Sequence, residues 1–175
     1  KNGRFTTTIS PEGKCFNFPS YGADSLPFII HALRVSKADS LARKYRSVIE
    51  SEISYYREAV YDRKTSLIRS DCHFSSIKDY YKRCSSCYDN CMLYMLASDL
   101  DTLRLKNPFP AEKIRKAILG TFWNGKFFYE DASAKDIITG DANTFPFWCG
   151  VTNSKQVFDI CIKSVEQKGL TKPFP

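Results

Sequence analysis

Carboxylates and aromatic rings collect in three stretches of this chain: Tyr21 with Asp24; Asp71, His73, Asp79, Arg83, Tyr88 and Asp89; and Trp123, Tyr129, Glu130, Asp131, Asp141, Asn143 and Trp148. Carboxyl groups move protons and hold hydroxyls, and flat apolar rings cover the face of a pyranose, so this is the mixture a sugar site needs. Each residue also has a plainer reading. Asp24, Asp89 and Asp141 stand where helices begin and suit N-caps. Trp123 and Trp148 suit a core, and His73 a solvated loop. Asp79 sits at no obvious cap and on no apolar stripe, and Tyr80, Tyr81, Lys82 and Arg83 follow it. Its plainer reading is an ordinary loop aspartate; its functional one is proton transfer.

The elements that must position these groups are helices. Residues 1–20 are rich in Thr, Gly and Pro and read as an extended leading segment. A first helix is expected from Asp24, with Pro27 harmless in its first turn. Phe28, Ile29, Ile30, Ala32 and Leu33 make it apolar nearly all round, which predicts burial. The next, over 38–61, carries one stripe of Leu41, Tyr45, Val48, Ile49, Ile53, Tyr56 and Val60 among charges, as a half-exposed outer helix does. Leu67, Ile68 and Arg69 read as extended and 70–87 as mostly loop. Helices over 88–105, 110–122, 141–151 and 154–168 follow, with a tight turn at Asn124-Gly125 leading into a short strand over 127–129. The fold class is therefore all-α: three successive helical hairpins, with short β-hairpin excursions in the connections. If the pairs stack in parallel order, the chemistry-bearing connections share one rim.

Bulk properties narrow the options. A length of 175 residues at 43% hydrophobic supports a single domain over 1–175 with one core. The +7 charge comes from 26 basic and 19 acidic residues interspersed along the helices, a solvated surface rather than a nucleic-acid site. No apolar run reaches the ~18 residues a membrane span needs. The odd count of seven cysteines fits reduced thiols and a cytoplasmic setting. Cys72-His73 followed by Cys84, Cys87 and Cys91 raises zinc. Neighbours such as Cys72 and His73 do not easily ligate one ion together, however, and Cys87 and Cys91 suit a helix as small hydrophobes. No metal or cofactor is expected.

The stretch Tyr21-Gly22-Ala23-Asp24-Ser25-Leu26-Pro27-Phe28-Ile29-Ile30-His31-Ala32-Leu33 resembles the inner-helix start of six-hairpin (α/α)6 glycosidases, in particular glucoamylase-like and glucodextranase-like enzymes. Asp79 followed by Tyr88 and Met92 is similar to the family's spacing from its general acid into the next inner helix. Asp141-Ala142-Asn143-Thr144-Phe145-Pro146 resembles a further inner-helix start. The position of the acid holds Asp rather than Glu, and Lys78 stands where the family has tryptophan.

The resemblance implies part of an (α/α)6 toroid, about half of one, and a fragment of a larger catalytic domain. It also implies inverting hydrolysis of α-glucosidic or related linkages in an oligo- or polysaccharide. Asp79 would be the acid and Asp141 the stand-in for a base that the family takes from a later hairpin; a sugar-hydroxyl ligand is the other role for Asp141. Asp24, Asp71, Arg83, Tyr88, Trp123 and Trp148 would bind substrate. Half a toroid leaves inner helices bare on two flanks, so self-association is expected. The alternative is a non-catalytic helical interaction module whose aspartates are caps.

Overall fold

The structure, a computed structural model, describes residues 5–6, 8–16, 21–72 and 81–172; Asp79, His73 and Lys78 lie outside them. Within the described residues the fold is mostly helical, with two small antiparallel hairpins. The leading segment holds the first hairpin, β1 (Thr8–Ile9) against β2 (Cys15–Phe16).

Helix α1 (Ser25–Val35) buries Leu26, Pro27 and Ile30. The burial expected all round is not met, because Phe28 is 40% and Val35 56% exposed. The helix stops in a Schellman turn, with Ala38 N–H donating to Leu33 O at 2.9 Å and Lys37 N–H to Arg34 O at 3.1 Å. Lys37 occupies the left-handed position at φ 53.

The single helix expected over 38–61 is kinked into α2 (Asp39–Lys44) and α3 (Arg46–Val60) at Tyr45, whose ψ of 18 leaves the helical region. The kink sets Ala42 into the core and lets α3 lay Ile49, Ile53, Tyr56 and Val60 against its neighbours. Tyr61 belongs to a strand, not to that helix. Strand β3 (Tyr61–Asp62) pairs with β4 (Leu67–Ile68), and the Asp62 carboxylate closes the turn by accepting from Lys64 N–H and Thr65 Oγ1, each at 2.9 Å.

Helix α4 (Cys87–Thr102) is buried on nearly every face and is the centre of the molecule. It packs against α1, α5 (Ala111–Phe122), α6 (Gly140–Trp148) and β4. It too ends in a Schellman turn, through Arg104 at φ 54, before the expected stop at Asn107-Pro108. Helix α7 (Lys155–Gln167) packs on α6 and stops at Gly169, φ 73, as its glycine foretells. Between α5 and α6, Trp123 bridges to Phe128 across the Asn124-Gly125 turn, where a longer strand was expected.

Contacts along the helices give their directions. Tyr88 meets Asp24 near the starts of α4 and α1, and His31 meets Asp99 further along both. Cys87 and Tyr88 lie against Ala142 and Phe145 of α6. So α1, α4 and α6 run parallel. The late part of α3 returns to the start of α1 through Tyr56 and Ala23, the segment after α5 reaches the start of α4 through Glu130 O and Cys87 N–H, and α7 runs back along α6, with Phe158 against Phe147 and the mid-helix Cys161 against Asn143. Each hairpin is antiparallel within itself. The connections that precede α4 and α6 therefore open at one end of the molecule.

Candidate functional site at the helix starts

Two asparagines dock those connections. Asn90, four residues after the α4 cap, accepts from Ile68 N–H at 2.8 Å and donates to Ser86 O at 2.7 Å. Asn143, four residues after the α6 cap, accepts from Phe128 N–H at 2.8 Å and donates to Phe128 O at 3.1 Å. Asn143 thus imitates a strand edge toward Phe128, while Asn90 ties Ile68 N–H to the start of its own helix; each pairs backbone that would otherwise be buried without a partner. The matching cap-plus-four spacing is visible in sequence, but its meaning requires knowing what lies opposite.

The carboxylates of this end converge around Arg83, which is 3% exposed. Arg83 Nη1 lies 3.2 Å from Asp141 Oδ2, and Nη2 lies 3.9 Å from Asp89 Oδ2. Asp89 Oδ2 also accepts from Ser86 Oγ at 2.5 Å, while Ser86 Oγ accepts from Asp89 N–H at 3.0 Å to cap α4. Asp24 accepts a 2.8 Å bond from Tyr88 Oη. It stands at the N-cap position of α1, yet its side chain caps nothing. A second polar layer lies beside this one: Tyr21 Oη donates to the buried Glu52 at 2.8 Å, and Tyr56 Oη to Ala23 O at 2.8 Å.

Two carboxylates share one buried guanidinium, with Asp24 close by on Tyr88, and charge is costly to keep in such a site. Burial pushes the Asp89 carboxyl up to about 7, against the pull of Ser86 and Arg83, and the charges of Asp24 and Asp141 push the same way. Burial likewise raises the Tyr88 hydroxyl, with Asp24 adding to it, and raises the Cys72 thiol to about 12, with Asp89 and Asp71 contributing. Asp131 behaves oppositely. Burial opposes its charge, but hydrogen bonds from Ser133 and from Cys84 N–H prevail and lower its pKa.

Asp24, Arg83, Tyr88 and Asp141 are thus brought together, with Asp89 as a further member that sequence reasoning read as a cap. Asp24, Arg83 and Tyr88 are buried, and their polar atoms are engaged within the protein: Tyr88 on Asp24, Arg83 on Asp141 and Asp89. Asp71 is exposed and paired with Arg69 at 2.7 Å. Trp123 is half-buried at this end, with its ring 4.9 Å from that of Phe128. Trp148 is elsewhere. It ends α6, 53% exposed, so its reading as core is corrected.

Sequence reasoning missed the His31, Arg34 and Asp99 group. The signal for it was a carboxylate interrupting the Met92, Leu96, Leu100 stripe of an otherwise apolar helix. Among the described residues no group of three or more His, Cys, Asp or Glu is arranged to hold a metal ion. Cys87 and Cys91 are buried in α4, and all seven cysteines are free. No described helix is long and apolar enough to cross a membrane. Compared with protein-family models and with curated protein sequences, the chain matches none of them.

Proposed function

We propose that this chain is a glycoside hydrolase-like domain of the six-hairpin (α/α)6 type, three hairpins of a toroid, acting on α-glucosidic or related linkages of an oligo- or polysaccharide. One observation carries the reading: three parallel helix starts gather Asp24, Asp89 and Asp141 at one end around Arg83 and Tyr88.

In the proposed inverting mechanism Asp79 protonates the glycosidic oxygen. A second carboxylate, ~6.5–9.5 Å away, activates water on the opposite face. Asp141 is the candidate for that second carboxylate or for a ligand to a sugar hydroxyl. Arg83 orients it, with Nη1 3.2 Å from Asp141 Oδ2. Asp71 and Trp123 border the same end and would contact further sugar units. No nucleic acid or membrane enters this reading, and the free thiols support a reducing, cytoplasmic setting.

The test is hydrolysis of a maltooligosaccharide series by the full chain, with the product anomer followed by NMR. Inverted product, abolished separately by Asp79→Asn and Asp141→Asn while the fold is retained, is the expected result. No turnover of any α-glucan would overturn it. The second reading, a non-catalytic helical interaction module, is favoured by the burial of Asp24, Arg83, Tyr88 and Asp89. It predicts no turnover and salt-sensitive binding to acidic partners.

A further inference from the structure

Away from the helix starts, α1 and α6 meet across α4 through side chains that the rim chemistry does not use. Asp99, with a side chain 5% exposed, is paired with Arg34 and lies 2.8 Å from His31 Nδ1. Arg34 Nη2 also lies 3.4 Å from Nδ1, but the 2.8 Å contact to the accepting Asp99 carboxylate is the shorter, so in the neutral ring the proton sits on Nδ1 and the lone pair on Nε2. That Nε2 has no partner among the described residues, and it is not among the buried polar atoms left without one, so it opens to solvent.

Trp148 lies beside this ring, 5.2 Å between centroids, and is steadied by Phe145 at 5.3 Å and Phe28 at 6.5 Å. It is nevertheless 53% exposed, and Phe28 40%. An indole clamped by three rings but left half bare is an ordered apolar platform, since its conformation is already fixed before anything covers it. Phe145 also touches Tyr88, 4.5 Å between centroids, so the platform continues from the rim network along one line of rings.

We propose that Trp148, Phe28 and His31 form a binding subsite for a neutral pyranose ring. The sugar's C–H face lies on Trp148, and an edge hydroxyl donates to His31 Nε2. Asp99 and Arg34 act as positioning residues: the buried Asp99, itself held by the part-exposed Arg34, fixes the imidazole so that its lone pair points outward at no further entropic cost. A flat apolar face with a hydroxyl at its edge matches a platform with one oriented acceptor better than a charged ligand does, because Asp99 already neutralises Arg34. The choice of a pyranose rests on the carbohydrate reading of the rim; the platform and its acceptor do not.

The test uses the full chain carrying Trp123→Phe, so that Trp148 is the sole fluorophore of its kind, titrated with maltotetraose. A saturable fluorescence change is expected, lost in Trp148→Ala by calorimetry. His31→Phe, which keeps a ring but removes the acceptor, should weaken binding roughly three- to tenfold, the worth of one neutral hydrogen bond. Asp99→Asn should weaken it less, since it loosens the imidazole without deleting it.

Circular dichroism on each variant separates lost binding from lost fold. Should Trp123→Phe fail to fold, calorimetry on the unmodified chain reads the same comparison. With hydrolysis assayed on the unmodified chain, binding without hydrolysis sinks the hydrolase reading and leaves this subsite standing. Hydrolysis with a silent Trp148 does the reverse. A Trp148 signal that shifts with protein concentration in the absence of sugar would mean that a second copy covers the platform, and would overturn the proposal.

Discussion

At the scale of single residues, the balance around Arg83 decides how this end of the molecule responds to change. Replacing Arg83 with Met keeps much of the volume but leaves Asp89 and Asp141 without their shared cation. Removing one partner of a buried pair typically costs about 3–5 kcal/mol, so urea unfolding of Arg83→Met should show a loss of that order. Asp89 carries the complementary prediction. Its folded pKa, about 7, lies above the ordinary 3.8, so the native state binds more protons than the unfolded one between those values and stability falls as pH rises through that window. The whole shift corresponds to a fall on the order of 4 kcal/mol. Asp89→Asn, which resembles the protonated form, should flatten the profile and be the more stable protein at pH 8; equal slopes in the two proteins would contradict the assignment.

At the scale of elements, the helix ends show where local signals succeed. Gly169 marks the end of α7 because glycine takes a positive φ without penalty. The same turn ends α1 and α4 through Lys37 and Arg104, side chains that announce nothing in sequence. What stops those helices is the hydrogen bonding of the next residue together with burial, as Leu105 shows by packing into the core. A non-glycine residue in this region costs roughly 1–2 kcal/mol. Lys37→Gly, in an exposed turn, should therefore raise stability by about 0.5–1 kcal/mol in thermal unfolding, once glycine's greater freedom in the unfolded chain is subtracted. The kink at Tyr45 is the opposite case: the apolar stripe runs on through it, and the need of α2 and α3 to pack on α1 breaks the helix.

At the scale of the whole molecule, the hairpins leave apolar surface at both flanks. Phe158 of α7 is 44% exposed although it lies on that helix's apolar face, and Leu41, Tyr45 and Val48 border an apolar recess with Phe5, Ile29 and Leu33. Patches of this kind on an isolated domain favour association. Light scattering over a hundredfold range of concentration should show mass rising above the 20.1 kDa monomer, and Phe158→Glu should shift that rise to higher concentration. A constant monomer mass would mean that these flanks are ordinary surface.

The amino-acid pattern alone determined a mostly helical chain, the order of its helices and the burial of α4, because periodicity is a local statement about one segment and its solvent; it did not foresee the exposed face of α1. It also placed Asp24, Arg83, Tyr88 and Asp141 among the residues of interest, since helix starts and polar connections can be read along the chain. Their convergence was decided by tertiary structure: only the parallel packing of α1, α4 and α6 brings positions tens of residues apart within hydrogen-bonding distance. Packing likewise turned Asp89 from a cap into a carboxyl with a raised pKa, moved Trp148 out of the core, and set Asp99 beside His31. Desolvation and neighbouring charge exist only once the chain has folded, so no residue carries them in its identity.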